Sequence, residues 1–188
     1  ITYINDNRLL VKILFLIILL LFSFNVIAKS KGSVTGLELP RFVSLKSDES
    51  NLRNGPSKNY PIKLTYQVKN LPLMVVDEYE LWRKVTDFEK NEGWVKKNLI
   101  KSDRYGIIKT NYDEGAQILN KPKGEVIGKI GNRNIVKVIK CLKDWCLIEI
   151  QKNKGWIIKT NIWGVFDEEI FNIPFYQPII NQFWKINF

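Results

Sequence analysis

The chain contains 188 residues, of which 29 are Lys or Arg, 19 are Asp or Glu and none is His, so its formal charge is +10. The lack of His excludes Ser-His-Asp triads, Cys-His nucleophile pairs and imidazole metal sites. Hydrophobic residues make up 45% of the chain and aromatic residues 12%, which is enough for a globular core. The composition predicts a folded protein that is not an enzyme, with no catalytic residue, metal site or cofactor.

The N-terminal segment has the layout of a signal peptide. Arg8 and Lys12 precede an apolar run over residues 13–24, which is too short to cross a bilayer. Val26 and Ala28 are small residues at the two positions that a signal peptidase reads. We expect residues 1–28 to be removed and the protein to be exported to the periplasm. An uncleaved anchor in the inner membrane is the alternative.

Two stretches of the remaining chain, residues 43–100 and 106–163, can be laid over each other. Pro56 and Pro122, then Trp82 and Trp145, then Trp94 and Trp156 occur in the same order in both stretches. Short runs of β-branched residues between Gly, Pro, Asn and Asp indicate strands, and no apolar helical period is present. The sequence therefore predicts an all-β protein with two tandem units, each a small barrel or sandwich.

The first repeat resembles the bacterial SH3-like (SH3b) domain. The residues that carry the resemblance are Asn51-Leu52-Arg53-Asn54-Gly55-Pro56, Trp82-Arg83-Lys84-Val85 and Gly93-Trp94-Val95. The resemblance covers residues 41–165 and implies two tandem five-stranded barrels that bind peptides or cell-wall material. It gives a linker at 29–40, domains at 41–101 and 104–165, and an aromatic C-terminal extension at 166–188. The second repeat departs from the family pattern, with Leu119-Asn120-Lys121-Pro122 where the family has Arg-x-Gly-Pro.

Two tryptophans are candidates for a ligand-binding surface. Side chains alternate between the faces of a strand, so Trp82 lies on the opposite face from Val85. The same parity separates Trp145 from Ile148. If the aliphatic residues form the core, both tryptophans lie outside and can contact a ligand. Burial between the two repeats, or beneath the C-terminal tail, is the competing interpretation.

Three further residues complete the candidate site in the first repeat. Arg53 and Asn54-Gly55-Pro56 are expected to form a loop, at which Asn51 and Arg53 either are exposed for ligand contact or stabilise the turn. Tyr79 precedes Trp82 closely, and the loop at 87–92 can supply polar contacts. The acidic groups at 77–78, 113–114 and 167–169 are expected to be solvated surface, not a catalytic pair.

Cys141 and Cys146 are expected to form a structural disulfide. If Lys143 and Asp144 form a two-residue hairpin turn, the cysteines face each other at a non-hydrogen-bonded position, within disulfide range. An oxidising compartment would allow the bond to form. The spacing does not match a redox Cys-x-x-Cys motif.

The C-terminal extension contains seven aromatic residues. After Pro178, Ile180, Phe183, Trp184 and Phe188 fall near helical spacing, which predicts a short helix whose docking side includes them. Such a helix must dock on something, because it is too short to be stable alone. Docking across the barrels, on a partner protein or weakly at a membrane interface are the alternatives.

The basic charge is concentrated in residues 101–164, which contain 13 basic and 6 acidic side chains. Such a segment suits an anionic partner, although a general bias toward Lys, Asn and Ile explains it equally well. An exported chain meets cell-wall polymer and lipid head groups before nucleic acid, so no nucleic-acid partner is expected. The sequence predicts a non-catalytic binding or scaffolding module of the cell envelope that recognises peptidoglycan or a peptide. An adaptor that docks another envelope protein through its tail, or a protein tethered by an uncleaved N-terminal helix, is the alternative.

Overall fold

A computed structural model describes residues 11–12, 30–111 and 114–185. Apart from Val11 and Lys12, the predicted signal peptide lies outside the described residues and stays a prediction. Within the described part of the chain, no helix is long and apolar enough to span a membrane. From Ser30 onward, the described residues form sixteen strands and one α-helix, together with two single-turn 3-10 helices at Lys97–Leu99 and Lys159–Asn161.

The strands form two large antiparallel sheets, and a hairpin of β1 (Ser30–Lys31) and β2 (Glu38–Leu39) precedes them. The first sheet contains β3 (Arg41–Leu45), β4 (Ser50–Arg53), β5 (Ile62–Tyr66), β6 (Pro72–Tyr79), β7 (Trp82–Thr86), β8 (Glu92–Lys96) and β9 (Ile100–Lys101). The second contains β10 (Tyr105–Ile108), β11 (Ala116–Leu119), β12 (Val126–Ile130), β13 (Ile135–Cys141), β14 (Trp145–Ile150), β15 (Asn153–Ile158) and β16 (Ile162–Trp163). The helix, α1, spans Gln177–Trp184.

The two sheets have the same topology, which confirms the predicted all-β fold with a tandem repeat. The strand order is β5-β4-β8-β7-β6-β3-β9 in the first sheet and β12-β11-β15-β14-β13-β10-β16 in the second. Every strand of the second sheet therefore corresponds to the strand seven places earlier. The resemblance implied five strands and each sheet has seven. The chain after β4 returns as an additional strand, β5, and the two residues of β9 pair back onto β3.

Each sheet curves around a hydrophobic core of its own. All seven strands of the first sheet contribute to one core, and the second sheet encloses a separate one. The members of the first core include Val43, Leu45, Leu52, Tyr66, Leu73, Val75, Val85 and Val95. Because side chains alternate along each strand, the neighbours of these residues lie on the outer face of the barrel.

The shared Gly-Trp motif follows from a close approach of two strands in each barrel. A Cβ atom on Gly93 would lie 2.7 Å from the Leu52 side chain and 2.7 Å from the Arg53 carbonyl oxygen, so only glycine fits between β8 and β4. Gly155 lies against Ile118 in the same way in the second barrel. With the glycine facing inward, the following Trp94 or Trp156 lies on the outer face.

The two barrels contact each other through aromatic residues and through the ion pair of 2.8 Å between Arg133 and Glu89. The ring of Phe42 lies 5.2 Å from that of Trp163 and 4.7 Å from that of Phe166. Arg104, between the sheets, pairs with Glu169 and donates a hydrogen bond of 2.8 Å to the Gly164 carbonyl oxygen. The acidic group at 167–169, expected to be solvated surface, thus contributes Glu169 to the junction.

The segment that the resemblance assigned to a linker contains the β1–β2 hairpin, which packs onto the first barrel through Glu78. The Glu78 carboxylate accepts hydrogen bonds from the Val34 and Thr35 amides and from the Thr35 hydroxyl, at 2.7–3.1 Å. It also pairs with Arg41 at 2.7 Å and lies 3.4 Å from the Arg83 guanidinium. The expectation that Glu78 is solvated is therefore wrong, because its side chain is fully buried.

The disulfide prediction is confirmed. Cys141 lies opposite Cys146 in the β13–β14 hairpin, with a Cα–Cα distance of 4.1 Å, and the two sulfurs are bonded. The amide of Leu142 donates a 2.8 Å hydrogen bond to the Trp145 carbonyl oxygen, which closes the two-residue turn.

Candidate functional site

The outer face of the first barrel carries a row of cationic and aromatic side chains. Arg53 on β4 pairs in register with Trp94 on β8, and Trp94 pairs with Lys84 on β7. All three side chains are half-buried, so each presents part of its surface to solvent. Side chains alternate between the two faces of a strand. Because Leu52 and Val85 point inward and are completely buried, their neighbours Arg53 and Lys84 lie on the outer face.

A second row runs beside the first. Lys96 pairs with Trp82 on β7, and Trp82 pairs with Tyr79 at the end of β6. Tyr79 is 51% exposed, whereas Trp82 is only 8% exposed. Trp82 is therefore on the predicted outer face, opposite to the core residue Val85, but it is buried, as the competing interpretation expected, and presents little surface to a ligand.

Hydrogen bonds fix the polar groups of this face. Arg53 donates from Nη1 to the Tyr60 carbonyl oxygen at 2.8 Å. Asn51 accepts a hydrogen bond of 2.8 Å from the Thr65 hydroxyl through its Oδ1. Both residues belong to strand β4 and not to the following loop, so they project from a rigid element onto the same side of the sheet.

Three cations and two carboxylates lie on this face, because Asp77 on β6 pairs in register with Lys84 and continues the first row. Lys84 forms an ion pair of 2.7 Å with Glu92, in which the side chains are 34% and 50% exposed. Arg53 and Lys96 add two more cations to the same face. We define the open face as Arg53, Trp94, Lys84, Lys96, Trp82 and Tyr79, with Asn51 at its margin. It combines aromatic surface with positively charged groups. Aromatic side chains can pack on the uncharged rings of a ligand, and the cations can pair with carboxylates of the same ligand.

The equivalent face of the second barrel has a different chemistry. The residues in register there are Leu119 on β11, Trp156 on β15 and Leu147 on β14, followed by Lys140 on β13. Arg53 and Lys84 of the first barrel are thus replaced by two leucines. Leu119 and Trp156 are buried, at 8% and 4% exposure.

The C-terminal tail covers this second face. The ring of Trp184 meets that of Trp156 edge to face at 5.4 Å, and Ile173 packs on the same apolar cluster. Lys140 lies 5.1 Å above the Trp156 ring and donates a hydrogen bond of 2.7 Å to Oε1 of Gln177. Burial lowers the pKa of the Lys140 ammonium group. The sequence analysis raised docking across the barrels as one alternative, and the structure shows docking on the second barrel.

Trp145 is not part of the open face. It is half-buried and packs on the cluster beneath the tail, which supports the competing interpretation for this tryptophan. It also lines a groove of about 690 Å³ together with Ile158, and the Lys129–Glu114 ion pair lies at the same groove. The structure thus brings Asn51, Arg53, Tyr79 and Trp82 together and leaves Trp145 on the other barrel.

A second concavity, of about 330 Å³, lies between the barrels beside the loop at 87–92. The Asp87 carboxylate accepts hydrogen bonds from the Tyr66 hydroxyl at 3.0 Å and from the amides of Glu89 and Asn91. Burial, reinforced by the nearby Asp87 charge, raises the pKa of the Tyr66 hydroxyl. Asp87 therefore stabilises its own loop, and this cleft offers mainly apolar walls.

Three residues of the open face, Trp94, Lys84 and Lys96, were not singled out from the sequence. Two features of the sequence indicate them. Gly93 faces inward, which places Trp94 on the outer face, and Lys84 is two residues from Trp82, which places both on the same face of β7. Among the described residues, no group of three or more Cys, Asp or Glu side chains is placed to hold a metal ion.

Comparison with known proteins gives a family and distant structural likenesses. A family model described as a bacterial SH3 domain matches residues 46–102 and 119–164. No curated protein matches the chain. The structures of NlpC1 and NlpC2 from Trichomonas vaginalis are similar at 10% identity, with TM-scores of 0.30 and 0.31. The alignments cover 70% and 71% of this chain but 48% and 51% of those chains, so the chain spans about half their length.

The two matched regions begin and end within the two barrels and together include more than half of the chain. The repeat topology, with two sheets of identical strand order, agrees with a tandem arrangement of this domain. The chain belongs to the bacterial SH3 domain family.

Proposed function

We propose that the protein is a non-catalytic binding module of the cell envelope that holds peptidoglycan, or a peptide segment of it, on the open face of its first barrel. The observation that carries this proposal is the in-register row of Arg53, Trp94 and Lys84 on a sheet face that the tail leaves uncovered. Membership of a family of binding domains supports the same conclusion.

The chemistry of the open face fits a wall polymer. Aromatic side chains such as Trp94 and Tyr79 can pack on the apolar faces of sugar rings or on peptide side chains. Arg53 and Lys84 can pair with the carboxylates of acidic peptides, and an arginine can do so through two parallel hydrogen bonds. Asn51 extends the same surface, and the small exposed part of Trp82 adds to it.

The two barrels would then have separate roles. The face of the second barrel that corresponds to the open face lacks its cations and lies under the tail. We propose that the first barrel supplies the wall contact and that any contribution of the second barrel comes from the groove beside Trp145. Domain boundaries at 41–101 and 104–165 are the ones that we propose for this division.

Co-sedimentation with purified insoluble peptidoglycan tests the proposal. We expect residues 29–188 to be retained at low salt and R53Q/K84Q to lose retention by about tenfold or more, because both cations contact the polymer. The matched control is K137Q/K154Q, which removes two exposed lysines of the second barrel and the same total charge. No retention of the wild type, or equal losses in the two variants, would contradict the proposal.

We further propose that the protein reaches the polymer by export and that the predicted signal peptide is cleaved after Ala28. N-terminal sequencing of the protein recovered from the envelope should begin at Lys29. A protein that keeps its leader and fractionates with the inner membrane would instead support the tethered alternative.

A further inference from the structure

The helix α1 docks on the second barrel with its polar side inward. Gln177 is 0% exposed and Asn181 is 3% exposed, and the Gln177 side-chain amide donates a 2.9 Å hydrogen bond to Oδ1 of Asn181. Gln177 also accepts the hydrogen bond from Lys140. The helix is thus held by amide and ammonium groups, with Trp184 adding an aromatic contact at one end.

The opposite side of the tail carries large apolar side chains in solvent. Phe175 is 94% exposed, Ile179 is 62% exposed and Phe183 is 80% exposed. These residues follow one another at intervals of four, so they align along one side of the helix and the turn that precedes it. The sequence pattern suggested that Phe183 faces the protein, and the structure shows the reverse.

This arrangement inverts the usual distribution of side chains. Amides are normally exposed and phenylalanines buried, and an aligned row of exposed aromatic and aliphatic residues marks a surface that contacts another molecule. The hydrogen bonds of Gln177 keep the helix in place without using its apolar side. That side is therefore free while the tail stays docked.

The charged residues near Phe175, Ile179 and Phe183 indicate which kind of partner this surface contacts. The Nζ of Lys123 donates a 3.1 Å hydrogen bond to the carbonyl oxygen of Lys185, and both lysine side chains lie exposed at the Phe183 end of the helix. Residues 170–185 contain no acidic side chain, although Asp167, Glu168 and Glu169 precede them, and the second-barrel segment 101–164 has a net charge of +7. Two copies that met through this surface would bring like charges together, whereas an anionic bilayer would attract them.

We propose that the outer side of α1, formed by Phe175, Ile179 and Phe183, lies in the head-group region of an anionic lipid bilayer, with Lys123 and Lys185 against the lipid phosphates. Interfacial helices combine an apolar side with neighbouring cations in this way. The contact holds the second barrel at a membrane surface. It involves none of the residues of the open face, so it is independent of the ligand proposed for the first barrel.

Vesicle co-sedimentation tests this proposal with residues 29–188, which retain both barrels, the tail and every described contact, but lack the apolar segment at 13–24. Vesicles of phosphatidylglycerol and phosphatidylethanolamine in equal parts should retain the protein, and vesicles of phosphatidylcholine should retain it weakly. The variant F175S/I179S/F183S should bind the anionic vesicles at least about tenfold more weakly. K123Q/K185Q should also weaken binding and reduce its sensitivity to salt.

The matched control is V34S/L37S/I62S, which removes three exposed apolar side chains of the first barrel and its hairpin. This variant should bind the anionic vesicles like the wild type, and the thermal unfolding of all variants should show that they fold. Failure of the wild type to bind anionic vesicles overturns the proposal, as does equal binding to phosphatidylcholine or undiminished binding by F175S/I179S/F183S. A dimer in sedimentation velocity that this variant abolishes, without vesicle binding, would assign the surface to a second copy instead.

Discussion

Replacing Glu78 by Gln should destabilise the protein strongly and change how its stability depends on pH. The carboxylate accepts hydrogen bonds from Thr35 and Val34 and pairs with Arg41, while Arg83 lies 3.4 Å away. Glu78→Gln removes the charge and leaves both guanidinium groups without their carboxylate. Because Glu78 joins the β1–β2 hairpin to the end of β6, the hairpin should loosen first.

The magnitude follows from the pKa of the buried carboxyl group. Burial alone would raise that pKa, but the hydrogen bonds from Thr35, Arg41 and Val34 outweigh it and lower the pKa of Glu78 from 4.5 to about 2. Such a difference corresponds to about 3 kcal/mol of stability at neutral pH. Since the folded-state pKa is the lower one, this contribution is fully present above pH 4.5 and is lost as the pH falls toward 2.

Urea unfolding followed by tryptophan fluorescence at a series of pH values measures this effect. The free energy of unfolding of wild type should exceed that of Glu78→Gln by about 3 kcal/mol at neutral pH, and the gap should narrow below pH 4.5. Glu92→Gln is the control, because the Lys84–Glu92 pair is half-exposed and should contribute less than about 1 kcal/mol. A gap between wild type and Glu78→Gln that is absent, or that does not change with pH, would refute the reasoning.

Two other predictions concern the second barrel. Replacing Cys141 and Cys146 with Ser opens only a short loop, so the free energy of unfolding should fall by about 2 kcal/mol and the second barrel should still fold, as measured by calorimetry. Complete unfolding would show that the bond does more than hold the hairpin register. Deleting residues 171–188 exposes the apolar cluster around Trp156, so binding of a hydrophobic dye should rise and the second barrel should melt earlier, while peptidoglycan retention stays unchanged. A loss of retention in this deletion would contradict the assignment of the wall contact to the first barrel.

Much of the fold could be predicted from the sequence because it depends on local patterns. The spacing of Cys141 and Cys146 is enough to place both cysteines in one hairpin, and the structure confirms the bond. The repeated Gly-Trp pair marks β8 and β15, where an inward glycine lets two strands approach. Strand parity likewise places Trp82 opposite Val85.

Contacts between segments that are distant in the sequence could not be predicted from such local patterns. Acidic residues next to basic strands are usually solvated, yet the hairpin at residues 30–39 folds over Glu78 and buries it. The resemblance implied five strands and the sheet has seven, because β5 pairs with β4 and β9 pairs with β3. Pairing of this kind depends on where the chain returns after a turn, which residue types alone do not specify.

The candidate site was predicted in part for the same reason. Asn51, Arg53, Tyr79 and Trp82 share one sheet face, although Trp82 exposes little surface. Trp145 is equivalent to Trp82 in the repeat but lies on a barrel whose outer face is covered by the tail. The difference between the two barrels arises from a helix whose inward side is polar, and an apolar pattern cannot predict docking through Gln177.

The most direct test of the central claim is a nuclear magnetic resonance titration of isotope-labelled protein, residues 29–188, with soluble peptidoglycan fragments. The chain has six tryptophans, so their indole N–H signals report on each face separately. The account predicts that the signals of Trp94 and Trp82 shift with ligand, while those of Trp156 and Trp184 beneath the tail do not. Shifts at Trp156 with an unchanged Trp94 signal would contradict it.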